Sequence, residues 1–333
     1  MIEAEALKRT ARDLLLRLAD GADADGIYAP GAVLHVSQPW GRLAGAAVPR
    51  FVAELRAAIP DMTRRDIVLA GGTNRPDERL AGPRRPSLVA AIGTLSGTMR
   101  APLRGIPATN GTVHLRYGET HAVEGGRIAE SRIILDLVDL ARQCGTPPLP
   151  PSLGAEHLWP GPATGDGIHR AGPWAGPDAL ETVFAMHEAL HAFDGQDLDS
   201  MPHADHWTPD FDYMAGGGIG AMKGLAGFRA CHQIPFLRAF PDRASEGHHV
   251  RLSDGPYAVT GGAVIGTHSA EWLGMAPTGR RVRIPVMDFY RVREDGRIAE
   301  NWLPIDVVGA ATDMGVDLLA RVRHLAGERR TKL

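Results

Sequence analysis

The chain has 333 residues, of which 44% are hydrophobic and 23% are charged, with a net charge of −3 at pH 7. This composition is typical of a soluble globular protein of about two domains, and it excludes the charge excess that binds nucleic acid or an anionic membrane. The N-terminal segment lacks the apolar core of a signal peptide, and no apolar run is long enough to span a membrane. Cys144 and Cys231 form no disulfide framework, so we expect a reduced, cytoplasmic setting.

The first half begins with a predicted helix. Apolar residues recur at helical spacing at Leu7, Ala11, Leu14, Leu15 and Leu18. Gly21 stands where this helix would end. Strands are expected behind the helices in this half, as in the second.

Proline and glycine concentrate in residues 145–178. Proline fixes φ and lacks an N–H group, so this segment favours neither a helix nor a central strand. His157, Trp159 and Trp174 indicate that it packs partly on a domain. We therefore predict domains at residues 1–150 and 178–333, joined by a linker at residues 151–177.

The second half also begins with a predicted helix, for which Asp178 and Glu181 form an N-terminal cap pair. Another helix is predicted over residues 223–239. Three strands follow, at residues 256–268, 280–292 and 296–306, the last two joined by a hairpin turn. Strands joined by short turns pair antiparallel, and helices gathered in front of strands define the α+β class.

One phrase occurs twice in the chain, as GRIAESRIILD at residues 126–136 and as GRIAENWLPID at residues 296–306. Further segments align in the same order: 54–65 with 235–246, 91–97 with 264–270, 107–111 with 277–279, and 137–145 with 307–315. A repeat of this length indicates duplicated domains, because the repeats of a solenoid are much shorter.

The segments AFPD (239–242), GTHSAEWLGMAPTGR (266–280) and MDFYRVREDGRIAENW (287–302) resemble the SnoaL-like polyketide cyclase or ester cyclase group of the nuclear-transport-factor-2-like superfamily. The resemblance covers most of residues 180–320 and, more weakly, most of residues 25–145. It implies two cones, each a strongly curved antiparallel sheet closed by N-terminal helices around a pocket.

The first half departs from the family pattern. It has Leu95 where the second half has His268, and Arg132 where the second half has Trp302. The second half is therefore the expected working site.

The resemblance implies an acid/base aspartate near the end of the last strand, which corresponds to Asp306 and, in the first half, to Asp136. A carboxylate inside a half-closed cone is poorly hydrated, so its pKa is expected to rise toward the range useful for moving protons to and from carbon. The alternative is structural. Each aspartate directly precedes an apolar helical start and would cap that helix.

His268 would hydrogen-bond a substrate carbonyl or enolate, as the resemblance favours, or it is a core histidine. Trp302 stands four residues before Asp306 and would share its side of the strand, unless Pro304 introduces a bulge. It would be a wall for flat ligands or a core residue. Further expected substrate-binding side chains are Tyr213, Trp207, Phe289 and, in the first pocket, His35.

HEALH at residues 187–191 matches the H-E-x-x-H pattern of zinc-protease helices. His187 and His191 are expected to face inward together. The sequence offers no third ligand nearby, since the next glutamate, Glu246, falls in a predicted turn. We therefore expect these histidines to line the pocket mouth and predict no metal site.

Two functions of different class remain open. The first is a cofactor-independent lyase or isomerase of the cyclase type, in which an aspartate moves a proton on a polyketide-like or other small hydrophobic or aromatic carbonyl compound. The resemblance also admits hydrolases and hydroxylases. The alternative is a non-catalytic module of the same fold that binds a small ligand or a protein partner. Cones of this superfamily pair through their sheets, so the tandem is expected to form an internal pseudo-dimer, and two chains could associate as a homodimer.

Overall fold

The computed structural model describes residues 2–81, 84–169 and 172–330. The helices are α1 (Ile2–Ala19), α2 (Ala24–Ile27), α3 (Ala47–Ala58), α4 (Leu137–Gln143), α5 (Ala179–Leu190), α6 (His203–His206), α7 (Gly224–Phe228), α8 (Ile234–Ala239), α9 (Val307–Met314) and α10 (Leu318–Arg330). The strands are β1 (Tyr28–Val36), β2 (Gly41–Ala44), β3 (Thr63–Thr73), β4 (Ser87–Thr98), β5 (Thr112–Glu124), β6 (Arg127–Leu135), β7 (Trp207–Ala215), β8 (Ala221–Lys223), β9 (Ala244–Asp254), β10 (Tyr257–Thr267), β11 (Arg281–Val292) and β12 (Ile298–Leu303). A 3₁₀ turn occupies Leu198–Ser200, and a π-helical turn, Arg229–Gln233, joins α7 to α8.

Each half contains one six-stranded sheet. The first has the strand order β2-β1-β6-β5-β4-β3, and the second has the order β8-β7-β12-β11-β10-β9. Every strand of the first sheet therefore has a counterpart at the same place in the second. The pairs are antiparallel apart from one parallel pair in each sheet, β1 with β6 and β7 with β12. The α+β class and the duplication of the cone fold are confirmed.

The predicted helix boundaries follow from local sequence. Helix α1 buries Leu14 and Leu15, and Gly21 follows its end with a φ of 104°, a conformation that glycine adopts without strain. At the start of α5, the Asp178 side chain accepts a hydrogen bond from the Leu180 N–H at 2.9 Å. Glu181 does not complete the cap pair. It forms an ion pair with Arg75 of the first half.

Each sheet packs against a hydrophobic core on both of its faces. On one face, the concave side of each sheet packs against the helices of its own half. On the other, the sheets pack against each other, and this inter-sheet core includes Val68, Ile92, Val250 and Val259. The duplicated halves therefore bury apolar surface that either half alone would expose to water.

The proline-rich segment runs along this junction. Among the described residues 144–169 and 172–178 there is no helix or strand beyond a single bridge between Ala155 and Ala221. Trp159 is buried in the inter-sheet core and donates its Nε1–H to the Ala215 carbonyl at 3.3 Å. We propose the division into domains at residues 1–150 and 178–333 with this segment as the linker.

Candidate active site

Asp136 and Asp306 occupy equivalent positions at the start of helices α4 and α9. Asp136 Oδ1 accepts a hydrogen bond from the Asp139 N–H at 3.0 Å. Asp306 Oδ1 accepts one from the Gly309 N–H at 2.7 Å. The capping role expected as the structural alternative is therefore present in both halves.

The second oxygen of each aspartate bonds to the opposite half. Asp306 Oδ2 accepts from the Gln38 N–H at 2.9 Å, and Asp136 Oδ2 accepts from the Gly217 N–H at 2.8 Å. Burial raises the pKa of both carboxyl groups, that of Asp306 to about 6. Both carboxylates are therefore hydrogen-bonded at the junction of the two halves. An acid/base role for them stays a prediction.

A further carboxylate, that of Asp288, lies inside the second cone. Along β11, Met287 and Phe289 belong to the inter-sheet core, so the alternating Asp288 and Tyr290 point to the concave face. Asp288 is half-buried, and protein packs densely around its carboxyl group.

The strands beside β11 supply the partners of this carboxylate. Asn301 of β12 donates its Nδ2–H to Asp288 Oδ1 at 3.2 Å, and the Tyr290 hydroxyl also bonds to the carboxylate. Burial raises the pKa of Asp288 to about 7, although both hydrogen bonds act in the opposite direction. A carboxyl group with this pKa is half ionised near neutral pH, so it can both accept and return a proton.

A row of rings forms a wall in the same interior. Phe228, His232 and Phe236 follow one another at every fourth position through α7, the π-helical turn and α8. The Tyr213 ring, on the strand beside Asn301, lies 5.0 Å from that of His232 and 4.8 Å from that of Phe228. Burial lowers the pKa of His232 to about 4, so this ring is neutral near pH 7.

Two of the expected substrate-binding residues belong to this wall. Tyr213 is 5% exposed, and burial together with Asp288 raises its pKa well above the ordinary value, so its hydroxyl keeps its proton. Trp207 begins β7 and lies 6.3 Å from the Phe228 ring. Its indole N–H is buried without a hydrogen-bond partner among the described residues.

The two histidines of HEALH separate. His187 is inside, with its Nε2 3.3 Å from the Tyr290 hydroxyl and its ring stacked on His248 at 5.4 Å. His191 lies at the end of α5 with 70% of its side chain exposed, near Glu188. The expectation that both face inward is wrong, because α5 ends at Leu190, so His191 is at the C-cap and turns to solvent.

His268 directly follows β10, at the far end of the sheet from Asp288. His268 is fully buried, and its ring stacks on Phe240. Its Nδ1 lies 3.2 Å from Thr278 Oγ1, and its Nε2 has no hydrogen-bond partner among the described residues. Asp288 pairs with Thr260, seven residues before the end of β10, so roughly 20 Å of strand separates the two groups. The structure does not bring His268 and Asp288 together.

Three expected pocket residues lie on the opposite face of their sheets. Trp302 and Phe289 are fully buried in the inter-sheet core, and the Trp302 Nε1–H donates to the Pro160 carbonyl at 3.0 Å. His35 of β1 pairs with Arg132 of β6. The equivalent pair in the second sheet is Met214 with Trp302, so His35 corresponds to Met214. For these residues the placement differs from the expectation, because strand parity assigns them to the junction of the halves.

The first cone has Glu119 at the position of Asp288. Glu119 pairs with Ala91 of β4, and Asp288 pairs with Thr260 of β10. Ala91 and Thr260 each stand seven residues before the end of their strand. Burial alone would raise the pKa of Glu119, but the ion pair with Arg64 at 2.9 Å and the hydrogen bond from His121 outweigh it and lower the pKa to about 2. This carboxylate stays ionised and is a poor proton acceptor near neutral pH.

The structure also corrects the alignment of His268. Thr98 and Thr267 begin the same turn, since the N–H of each bonds to an aspartate, Asp61 or Asp242, at 2.7 Å. The first-half residue at the position of His268 is therefore Met99 and not Leu95, because the repeats differ in length before this turn.

Sequence reasoning did not select Asp288, Asn301 or His232, although two signals were present. The alternation of Met287 and Phe289 with polar neighbours marks one polar face of a strand. An aromatic ring at every fourth position, at Phe228, His232, Phe236 and Phe240, marks one aromatic face of a helix. Only the fold shows that Tyr213 lies between these two faces.

Residues 184–314 match the family model of SnoaL-like polyketide cyclases. No curated protein matches the chain. Similar solved structures include IdmH, a candidate polyketide cyclase from Streptomyces antibioticus, which is 29% identical over 41% of this chain and 97% of its own, with a TM-score of 0.33. A candidate SnoaL-like polyketide cyclase from Jannaschia sp. is 22% identical over 41% of this chain and 90% of its own, with a TM-score of 0.35. An NTF2-like protein from Burkholderia thailandensis is 15% identical over 41% of this chain and 98% of its own, with a TM-score of 0.34.

The chain is thus a tandem of two α+β cones of the same strand order. The second cone contains Asp288, a carboxyl group of raised pKa. Residues 184–314 are similar to the SnoaL-like polyketide cyclases, and the first half of the chain repeats the strand order of the second. The family match supports a function of the cyclase or isomerase kind. Within the described residues, no helix has the length and apolar character to cross a membrane.

Proposed function

We propose that the second cone catalyses a cofactor-independent cyclisation or isomerisation, with Asp288 as the general acid/base. The observation that carries the proposal is a carboxyl group on the concave face of the second sheet whose pKa is raised to about 7 by burial, with the aromatic rings around Tyr213 on the same side. Such a group can take a proton from carbon and return it within one turnover.

In the proposed reaction, the Asp288 carboxylate removes a proton from the carbon beside a substrate carbonyl. The electron pair left behind spreads onto the carbonyl oxygen, giving an enolate and a protonated Asp288. In this proposal the Tyr213 hydroxyl, held in its protonated form by burial, donates a hydrogen bond to this oxygen. Protonated Asp288 then returns its proton to the oxygen formed in ring closure or to another carbon, which restores the starting state.

The wall beside Asp288 indicates the substrate class. Phe228, His232 and Phe236 offer ring faces, and the low pKa of His232 keeps the wall uncharged near neutral pH. Flat aromatic carbonyl compounds gain most from such a surface, because they bury their own ring faces against it. We therefore propose a small aromatic, polyketide-like ketone as the substrate.

Asp306 remains the second candidate for the acid/base. Its pKa, about 6, also suits proton transfer. However, both of its oxygens accept main-chain hydrogen bonds, from Gly309 and Gln38. Its use as a base would compete with a helix cap and with a contact between the halves, which favours Asp288.

The test measures exchange of the α-protons of 2-tetralone, a flat aromatic ketone, for deuterium in D2O by NMR. We expect the wild-type chain to accelerate this exchange and Asp288→Asn to reduce it by about 10²–10⁴-fold, the usual contribution of a general acid/base. Asp306→Asn is the matched control, because it neutralises a second carboxyl group whose pKa burial raises in the same half. It should keep most of the activity.

Loss of exchange in Asp306→Asn with full activity in Asp288→Asn would transfer the role to Asp306. Equal activity in the wild type and both variants would contradict acid/base catalysis by either residue. Wild-type exchange no faster than in buffer would contradict the proposed reaction on this class of ketone.

A further inference from the structure

The first cone contains a cavity of its own. The empty space in this cavity is about 540 Å³, a figure that includes the solvent in its open mouth. Its wall is mostly apolar and includes Leu15, Leu18, Phe51, Val52 and Leu55. These residues come from α1 and α3, the helices that close the first cone.

The polar groups at the bottom of this cavity are not arranged for proton transfer. Glu119 Oε2 accepts from Arg64 Nη1 and lies 2.9 Å from His121 Nε2. His121 Nδ1 in turn lies 2.8 Å from the Ser131 hydroxyl. This cavity therefore combines an apolar chamber with a carboxylate that is already committed to a guanidinium.

The mouth carries a cation that the fold leaves without an acidic partner. Arg56 of α3 lines the cavity, is partly exposed, and donates through Nη2 to the carbonyls of Leu18 and Ala22. Its Nε is buried and has no hydrogen-bond partner among the residues that the structure describes. Within those residues no carboxylate of the chain forms a salt bridge with it. A buried guanidinium N–H without an acceptor is costly, and a carboxylate is the acceptor that a guanidinium binds most strongly.

We propose that the first cone binds an apolar monocarboxylate, with its hydrocarbon part in the cavity and its carboxylate on Arg56, and does not transform it. An apolar chamber with one unpaired cation at its mouth matches a ligand with one anionic end and an apolar body. The proposal concerns the first half alone and does not depend on the reaction proposed for the second.

The test uses the full chain and a series of straight-chain acids, from hexanoate to decanoate, in isothermal titration calorimetry. If the tail enters the cavity, the affinity should rise roughly fourfold for each added methylene group. An affinity that does not change with chain length would overturn the proposal.

Arg56→Gln tests the head group. We expect it to weaken decanoate binding tenfold or more, because a charge-assisted hydrogen bond is lost, and to leave the binding of 1-decanol unchanged. Arg50→Gln is the matched control, since Arg50 lies on the same helix, is exposed and does not line the cavity. Equal weakening of decanoate and decanol by Arg56→Gln would overturn the assignment of the head group.

Ala19→Phe tests the location, because Ala19 lines the cavity at the end of α1 and is partly exposed. This variant should abolish binding of both ligands while its unfolding temperature stays close to that of the wild type. Asp288→Asn should bind decanoate as the wild type does, which separates this site from the second cone. Unchanged binding in Ala19→Phe, or lost binding in Asp288→Asn, would contradict a site in the first cone.

Discussion

At the scale of single residues, the two cones differ most in the surroundings of one carboxyl group. Asp288 has only neutral hydrogen-bond donors beside it, so burial raises its pKa to about 7. Glu119 has Arg64 at 2.9 Å, and its pKa falls to about 2. The same position in a duplicated fold thus holds a group suited to proton transfer in one copy and a fixed anion in the other.

The raised pKa of Asp288 has a consequence for stability. In the unfolded chain this group loses its proton near its ordinary pKa of 3.8, whereas in the folded chain it does so only near 7. Above pH 7 both states are ionised, and the folded state bears the full cost of a buried charge. Between these values the stability contributed by the neutral form is lost as the pH rises.

Asp288→Asn should therefore gain stability relative to the wild type as the pH rises from 4 to 8. The gain should reach the order of 4 kcal/mol at pH 8 and vanish at pH 4. Urea unfolding of both proteins across this range measures it. Parallel stability curves would mean that the carboxyl group is not desolvated.

The sequence shows which residues are acidic but not which carboxyl group the fold shields from water. Asp306 looks like the isolated carboxylate because it follows an apolar run, yet it is bonded to Gln38 of the other half. Asp288 looks ordinary between Met287 and Phe289. Its environment is built by Asn301 and by the aromatic wall, which come from other elements, and no local pattern records that meeting.

At the scale of elements, sequence patterns predicted most of the second half. The strands expected at 256–268 and 280–292 are present as β10 and β11, and the helix expected at 223–239 is present from α7 to α8. Periodicity works here because one face of each element is buried. It did not predict β7, which lies second from the edge of its sheet and pairs in parallel with β12, a strand far away in sequence.

The helix from α7 to α8 also contains a π-helical turn, Arg229–Gln233, that periodicity could not foresee. An inserted π-turn shifts the face that the following residues present, and such turns are frequent at functional sites. His232 lies within it and stacks on Tyr213 at 5.0 Å. The irregular turn is therefore part of the wall that the proposed substrate would contact.

At the scale of the whole molecule, reciprocal hydrogen bonds tie the halves together. Asp306 bonds to Gln38, and Asp136 bonds to Gly217, so each helix cap of one half also holds the backbone of the other. The repeated phrase predicted that the aspartates are equivalent. It could not predict this exchange, because the relative placement of two copies follows from packing between their sheets and not from the pattern within one copy.

Asp306→Ala should lower the free energy of unfolding by about 2–4 kcal/mol, because it leaves the buried N–H of Gly309 without an acceptor and removes the hydrogen bond from the Gln38 N–H. Asp317→Ala is the control. Asp317 caps α10 through the Ala320 N–H at an exposed position, so its loss should cost only about 1 kcal/mol. Equal losses in urea unfolding would show that the bond between the halves contributes nothing.

Titration of the Asp288 carboxyl carbon by ¹³C NMR, with Asp288→Asn used to assign the resonance, measures the pKa on which the proposed reaction depends. We expect a midpoint near pH 7, since burial raises the pKa of Asp288 to about 7. A midpoint near 4 would mean that the carboxylate is hydrated and ionised throughout the neutral range, and it would contradict the proposed acid/base role.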